Sequence, residues 1–292
     1  MTKWVRMIEI DIVFSGGGIK GLAFVGALEA LETRQVTYKT IIGSSAGALI
    51  GGLVAAGYQS SELKQLALQL KQTDFLEKNV VKYSWQKWVR MYYRLGLFKG
   101  DKLEKWIDKQ LKQKKVYSFA DLKPQQLKII VSDLTRRKLV VFPDDLADYG
   151  CCPESFSVAK AIRMSCTIPY IFEPVRLKTS SSEYFFVDGG VLSHFPYWLL
   201  NEERRPNIGF YIGKERKKAS IIKNNIDYFQ ALLDTMLHAH DIRYVDKFAK
   251  KNTVFLPVNH VQAIHFSLTE KEKKTLFDIG RTSTERFLKT WP

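Results

Sequence analysis

MIEIDIVFSGGGIKGLAFVGALEALETRQVTYKTIIGSSAGALIGGLVAA, residues 7–56, is the stretch from which the rest of the chain can be read. Ile8, Ile10, Ile12 and Val13 bring β-branched side chains to a strand over about 7–14, which stops at Ser15-Gly16-Gly17-Gly18. Leu22, Val25, Leu28 and Leu31 then recur at helical spacing, which predicts a helix from about Ile19 to Leu31. A short apolar strand near 38–42 runs into Gly43-Ser44-Ser45-Ala46-Gly47, followed by a helix of small residues from Ala48 to about Ala56. Strand, loop, helix, strand, turn, helix is the alternation of a parallel sheet covered by helices. Further strands are expected at 128–133, 139–142, 184–187, 208–212 and 254–257. Asp101 and Glu104 resemble a capping box opening an amphipathic helix with Leu103, Trp106, Ile107 and Leu111 on one side.

Composition sets the outer bounds. The 292 residues are 46% hydrophobic and 26% charged, which excludes a disordered chain, and no low-complexity linker divides them, so one domain over 1–292 is expected. Three cysteines, two of them neighbours, make no disulfide framework and fit a reducing, cytoplasmic setting. Glu9 and Asp11 interrupt what would be a signal-peptide core, and no run of about 20 uncharged apolar residues appears, so any membrane contact is expected to be peripheral, at the inner face. Asp, His and Cys show no spacing typical of metal ligands, and neither metal nor cofactor is expected.

The net charge of +15 is uneven. Residues 1–77 carry seven basic and seven acidic side chains, whereas 78–115 carry twelve and three. Within that segment Trp85, Trp88, Val89, Tyr92 and Leu95 fall on one helical face and Lys87, Arg90 and Arg94 on the other. Such a pattern fits a buried helix with a solvated back, and it also fits a helix lying in an anionic membrane interface. No groove-reading or base-stacking motif accompanies the charge, so nucleic acid is not the expected partner.

Two glycine motifs carry the chemistry. Gly43 to Gly47 spells G-x-S-x-G at a strand-to-helix turn, which puts Ser45 at the strained apex as a nucleophile candidate; a plain Gly/Ser turn remains open on the pentapeptide alone. Gly16, Gly18 and Gly21 match G-x-G-x-x-G, but the second strand ends at Ile41-Ile42-Gly43 without the acid that a dinucleotide ribose needs. The other use of such a loop is to aim backbone N–H groups at an oxyanion. The loop after one strand and the elbow after the next would lie side by side at the carboxyl edge of the sheet. For a base, His238, His240, His260 and His265 come late in the chain without a turn-like setting, whereas Asp188 ends an apolar strand and precedes Gly189-Gly190. Asp-Gly-Gly by itself is most often a turn.

In order and spacing, Ser15–Gly21 with the helix after it, Gly43–Gly47 and Asp188-Gly189-Gly190 resemble the patatin-like phospholipase family. Gly96-Leu97-Phe98-Lys99-Gly100-Asp101, Val131-Ser132-Asp133-Leu134-Thr135 and the block from Ser165-Cys166-Thr167-Ile168-Pro169 to Pro174-Val175 agree, so that the likeness covers roughly 7–200. It implies a three-layer α/β/α sandwich with a mainly parallel central sheet. It also implies acyl-ester hydrolysis by a Ser–Asp dyad, with Ser45 as nucleophile, Asp188 as base and Gly16, Gly17 and Gly18 as oxyanion loop. Lys20, Gly43, Gly47, Gly189 and Gly190 support them. Lys20 stands where arginine is common, and Ser193-His194 where an Asn pair is common, which leaves the role of His194 open. The implied substrates are phospholipid or lysophospholipid esters; a soluble carboxylesterase or thioesterase of the same fold and a non-catalytic lipid-binding protein are the alternatives. Oligomeric state and the last 90 or so residues stay unassigned.

Overall fold

The computed structural model describes residues 8–71, 75–76, 84–179, 182–200, 205–213, 250–258 and 267–291, with 222, 228, 231 and 235. The chain folds as an α/β protein whose mostly parallel central sheet is flanked by helices. β1 (Ile8–Phe14) lies between β2 (Val36–Ser44) and β9 (Asn207–Ile212), parallel to both, and β10 (Thr253–Leu256) extends that edge. The last five residues of β1 are buried, and the one charged side chain among them, Asp11, accepts the Thr40 amide of β2 at 3.1 Å.

On the other side β2 pairs in parallel with β4 (Leu127–Asp133). From there the sheet turns antiparallel. β8 (Glu183–Asp188) runs against β4, β7 (Val175–Lys178) against β8, and β5 (Lys138–Phe142) also joins β4. A separate two-stranded ribbon pairs β3 (Gly96–Phe98) with β6 (Tyr170–Phe172).

Alternate residues of each strand serve two cores. Ile10, Ile12, Phe14, Ile41, Ile129 and Val131 point into the larger, which holds the apolar faces of α1 (Ala23–Glu32), α2 (Ala46–Ala55) and the helices over 60–69, 101–113, 158–165 and 270–288. Val13, Ile42 and Ile130 point into a smaller one with Phe195, Tyr197 and Tyr211.

Several boundaries differ from the sequence expectation. The first helix begins as a 3-10 turn, Gly18–Leu22, before α1, and α2 starts at Ala46, directly after Ser45. The helix over 101–113 is not opened by a capping box. Gly100 is its N-cap at φ 80°, and Asp101 and Glu104 sit in the first turn, where the helix dipole favours acids. Its stripe of Leu103, Ile107 and Leu111 is buried as the periodicity predicts. The C-terminal helix, Glu270–Leu288, lies along α1 so closely that a Cβ on Gly26 or Gly280 would fall 1.8 Å from a carbonyl oxygen of the opposite helix.

Candidate active site

Two strands and the one between them bring Ser45 and Asp188 together. Ser44, the last residue of β2, lies opposite Ile130 of β4, and Val131 lies opposite Asp188, the last residue of β8. The chain then turns sharply at Ser45, which holds φ 52° and ψ −121°, a strained conformation for a non-glycine residue. The flanking glycines make the turn possible. A Cβ on Gly43 would lie 2.3 Å from the Gly47 carbonyl oxygen, and one on Gly47 2.4 Å from that of Phe14.

The turn sets the Ser45 hydroxyl against the Asp188 carboxylate. Ser45 Oγ donates to Asp188 Oδ2 at 2.6 Å, across 143 positions of sequence. The other carboxylate oxygen, Oδ1, accepts the Gly190 amide at 2.8 Å, which fixes the orientation of the group. Both residues are buried. Burial pushes the Asp188 carboxyl up to about 7, against the lowering effect of its bonds from Ser45 and Gly190. A carboxyl so placed is poised to exchange a proton near neutral pH.

The glycine loop stands beside the serine. The Gly16 amide donates to the His194 carbonyl at 2.8 Å and so is committed to structure. Gly17 and Gly18 follow at φ 154° and 55°, which turns the backbone away from regular structure into the 3-10 turn that carries Lys20. The buried His194 ring lies against Gly16 and edge-on to Tyr211 at 5.9 Å. Its position by the loop was not legible in the Ser193-His194 pair. The α2 N-terminus, directly after Ser45, adds a partial positive charge at the same place.

An open cleft leads away from Ser45. Gly18 and Cys166 border the serine, and Leu22, Ile50, Leu103, Ile168 and Phe172 make walls that are almost wholly apolar. Cys166 is buried and its thiol is pushed far above the ordinary range, so it is a neutral donor, 3.2 Å from the Ser45 carbonyl. Sequence reasoning assigned no role to Ser165, Cys166 or Thr167, although their block was part of the family likeness.

The basic segment is a helix over Ser84–Arg94 that leads into the ribbon strand β3. The side chains of Trp85, Lys87 and Trp88 lie outside the described residues, as do His238, His240, His260 and His265. Val89, Tyr92 and Leu95 are exposed, as is Tyr93, which packs edge-on to Tyr92 at 5.0 Å. Arg94 is also exposed. Arg90 turns inward and pairs with Glu173. Among the described residues no group of His, Cys, Asp or Glu is arranged to hold a metal ion, and no helix is long and apolar enough to cross a membrane.

Known proteins resemble this chain over its whole length. It is 46% identical to the uncharacterized protein YqhO of Bacillus subtilis, over 97% of this chain and 99% of that one. To the probable lipid hydrolase 463L of Invertebrate iridescent virus 6 it is 26% identical, over 92% and 85%. The solved structure of VipD from Legionella pneumophila shares the fold, with a TM-score of 0.57, 17% identity, and coverage of 97% of this chain and 67% of that one. The patatin-like phospholipase model matches residues 12–200, a span that contains the loop, the elbow and Asp188, and the chain belongs to that family.

Proposed function

We propose that the protein is a serine lipid acyl hydrolase that cleaves fatty-acyl esters of phospholipids or lysophospholipids. The observation that carries the proposal is the 2.6 Å bond from Ser45 Oγ to a buried Asp188, at the head of an apolar cleft. Asp188 takes the Ser45 proton as Oγ attacks the ester carbonyl, and the carbonyl oxygen becomes an oxyanion. The amides of Gly17 and Gly18, with the α2 N-terminus, serve in this reading as the donors to that charge. Collapse of the tetrahedral intermediate expels the alcohol, which takes the proton back from Asp188 and leaves the acyl group on Ser45. Water then attacks the acyl-enzyme with Asp188 again as base, and the fatty acid leaves. A base near neutral suits both halves of this cycle, since it must accept and return a proton at the same pH. The apolar walls exclude water from the acyl chain and hold it against the serine.

The substrate reaches the site from a membrane surface. Support comes from the helix over 84–94, whose exposed Val89, Tyr92 and Tyr93, with Leu95 just after it, stand next to the ribbon that includes the cleft wall at Phe172. Tyrosines with a nearby arginine suit the headgroup level of a bilayer. Incubation with defined phospholipids and lysophospholipids, with identification of the released fatty acid, tests the proposal. Release by the wild type and none by Ser45→Ala is the expected result; equal release by both sinks it.

A further inference from the structure

The dyad does not set its own spacing. Ser45 follows the end of β2 and Asp188 ends β8, and these two strands do not pair, since β4 lies between them. Three consecutive buried residues hold both of them. The Ser45 amide donates to Ser165 Oγ at 2.9 Å, and that hydroxyl donates onward to the Ile130 carbonyl of β4 at 2.6 Å. The Cys166 thiol donates to the Ser45 carbonyl. The Asp188 amide donates to the Thr167 carbonyl at 2.8 Å. One short turn thus grips the backbone of the nucleophile on one side and of the carboxylate on the other.

Arg163 anchors this turn. Its Nη1 donates to Thr167 Oγ1, which in turn donates to the Arg163 carbonyl at 2.9 Å. The rest of the guanidinium binds backbone carbonyls of the two segments that make the ribbon. Nε donates to Gly100 at 2.9 Å, and Nη2 to Lys99 at 2.5 Å and Glu173 at 3.3 Å, while the group stacks over Phe172, 5.2 Å from the ring centre. The side chain is 2% exposed. A buried cation is costly unless fully hydrogen-bonded, and a fork with several donors in one plane satisfies these acceptors where a lysine ammonium cannot. Phe172 and Ile168 also wall the acyl cleft.

We infer that Arg163, Ser165 and Thr167 are positioning residues for hydrolysis. They hold Ser45 Oγ and Asp188 at reacting distance and tie that distance to the wall against which the acyl chain lies. The inference rests on the Ser45–Asp188 reading and adds the elements that keep the pair in register. None of the three touches the ester in this scheme, so their loss acts on the rate of chemistry and not on binding.

The test uses the full chain and a short water-soluble ester, with Ser45→Ala as reference. Thr167→Val keeps the shape and removes the hydroxyl; Thr167→Ser keeps the hydroxyl; Ser165→Ala and Arg163→Lys complete the set. Readouts are kcat, KM, the rate at which a fluorophosphonate labels Ser45, and the melting temperature. Small misplacements of reacting groups cost up to about 10²-fold, so Thr167→Val and Ser165→Ala are expected to lower kcat by about 10- to 100-fold, and the labelling rate in parallel, with KM within about twofold. Thr167→Ser is expected to restore the wild-type rate, and Arg163→Lys to fall between. Wild-type kcat and labelling in both Thr167→Val and Ser165→Ala, with Ser45→Ala inactive, would overturn the inference and leave the dyad standing. A loss confined to melting temperature or KM would overturn it as well. Activity in Ser45→Ala would instead remove the dyad reading on which the inference depends. If Arg163→Lys does not fold, the Thr167 pair and Ser165→Ala decide.

Discussion

Replacing Asp188 with Asn should abolish hydrolysis and, above about pH 5, make the protein more stable. The carboxyl titrates near 7 in the folded protein because burial disfavours its charge. In the unfolded chain an aspartate titrates at about 3.9. Below pH 4 both states keep the proton and the group contributes no pH dependence. Between about 4 and 7 the unfolded chain releases it while the folded protein retains it, so the folded state binds more protons and stability falls as pH rises. The loss is complete above about 7. A difference of about 3 units corresponds to a penalty on the order of 4 kcal/mol in the wild type at pH 8. Asn carries none of it, but accepts less well from Ser45 and Gly190, which costs about 1–2 kcal/mol at every pH. The variant is therefore expected to be slightly less stable at pH 4 and on the order of 2 kcal/mol more stable at pH 8. Urea denaturation of both proteins at pH 4.5, 6 and 8 measures this. Parallel stability curves across that range would refute the reasoning, since they would mean that the carboxylate is ionised in the fold as easily as in water.

The buried Ser44 hydroxyl has no hydrogen-bond partner among the described residues, so Ser44→Ala should leave activity within a few-fold and stability unchanged or raised by up to about 1 kcal/mol, checked by kinetics and denaturation. Gly47→Ala forces a methyl into the Phe14 and Ser15 carbonyls; a loss of several kcal/mol in stability, or of at least about 10²-fold in rate, is expected from the same assays. Arg94→Glu should weaken binding to anionic vesicles roughly tenfold or more in low salt and little in 1 M salt, with short-ester hydrolysis unchanged, whereas Tyr92→Ser with Tyr93→Ser should weaken it at both. Sedimentation with vesicles reads this, and unchanged binding in both variants would remove the membrane role of the helix.

Where local pattern and tertiary environment agree, the sequence was legible. β1 and β2 bring β-branched residues up to glycine motifs, and Gly43 of the elbow is required by a contact with Gly47 only four positions on, so both could be read directly, whereas the approach of Gly47 to the Phe14 and Ser15 carbonyls could not. Asp188 was legible as the end of an apolar strand before a flexible pair. The ribbon strands β3 and β6 span three residues each, too few for a period to register. The C-terminal helix depends on Gly26 and Gly280 each admitting the backbone of the opposite helix, and no local signal records such a long-range approach. Arg163 escaped notice because most of its partners are backbone carbonyls, which every residue has. In the helix over 84–94 the spacing defined two faces but not their neighbours: Val89, Tyr92 and Leu95 face outward, and Arg90, placed with the basic face, meets Glu173. Periodicity fixes which residues share a face; only the fold decides what that face meets.

The central claim is that Ser45 is a nucleophile activated by Asp188 without a histidine. Peptide mapping after reaction with a fluorophosphonate, with the labelling rate followed in wild type, Asp188→Asn and the alanine variants of His194, His238, His240, His260 and His265, tests it most directly. Expected are an adduct on Ser45, labelling slowed by about 10³-fold or more in Asp188→Asn, and substantial labelling retained in every histidine variant. An adduct on Ser44 or another serine, or an essential histidine with Asp188→Asn still labelled at the wild-type rate, would contradict it.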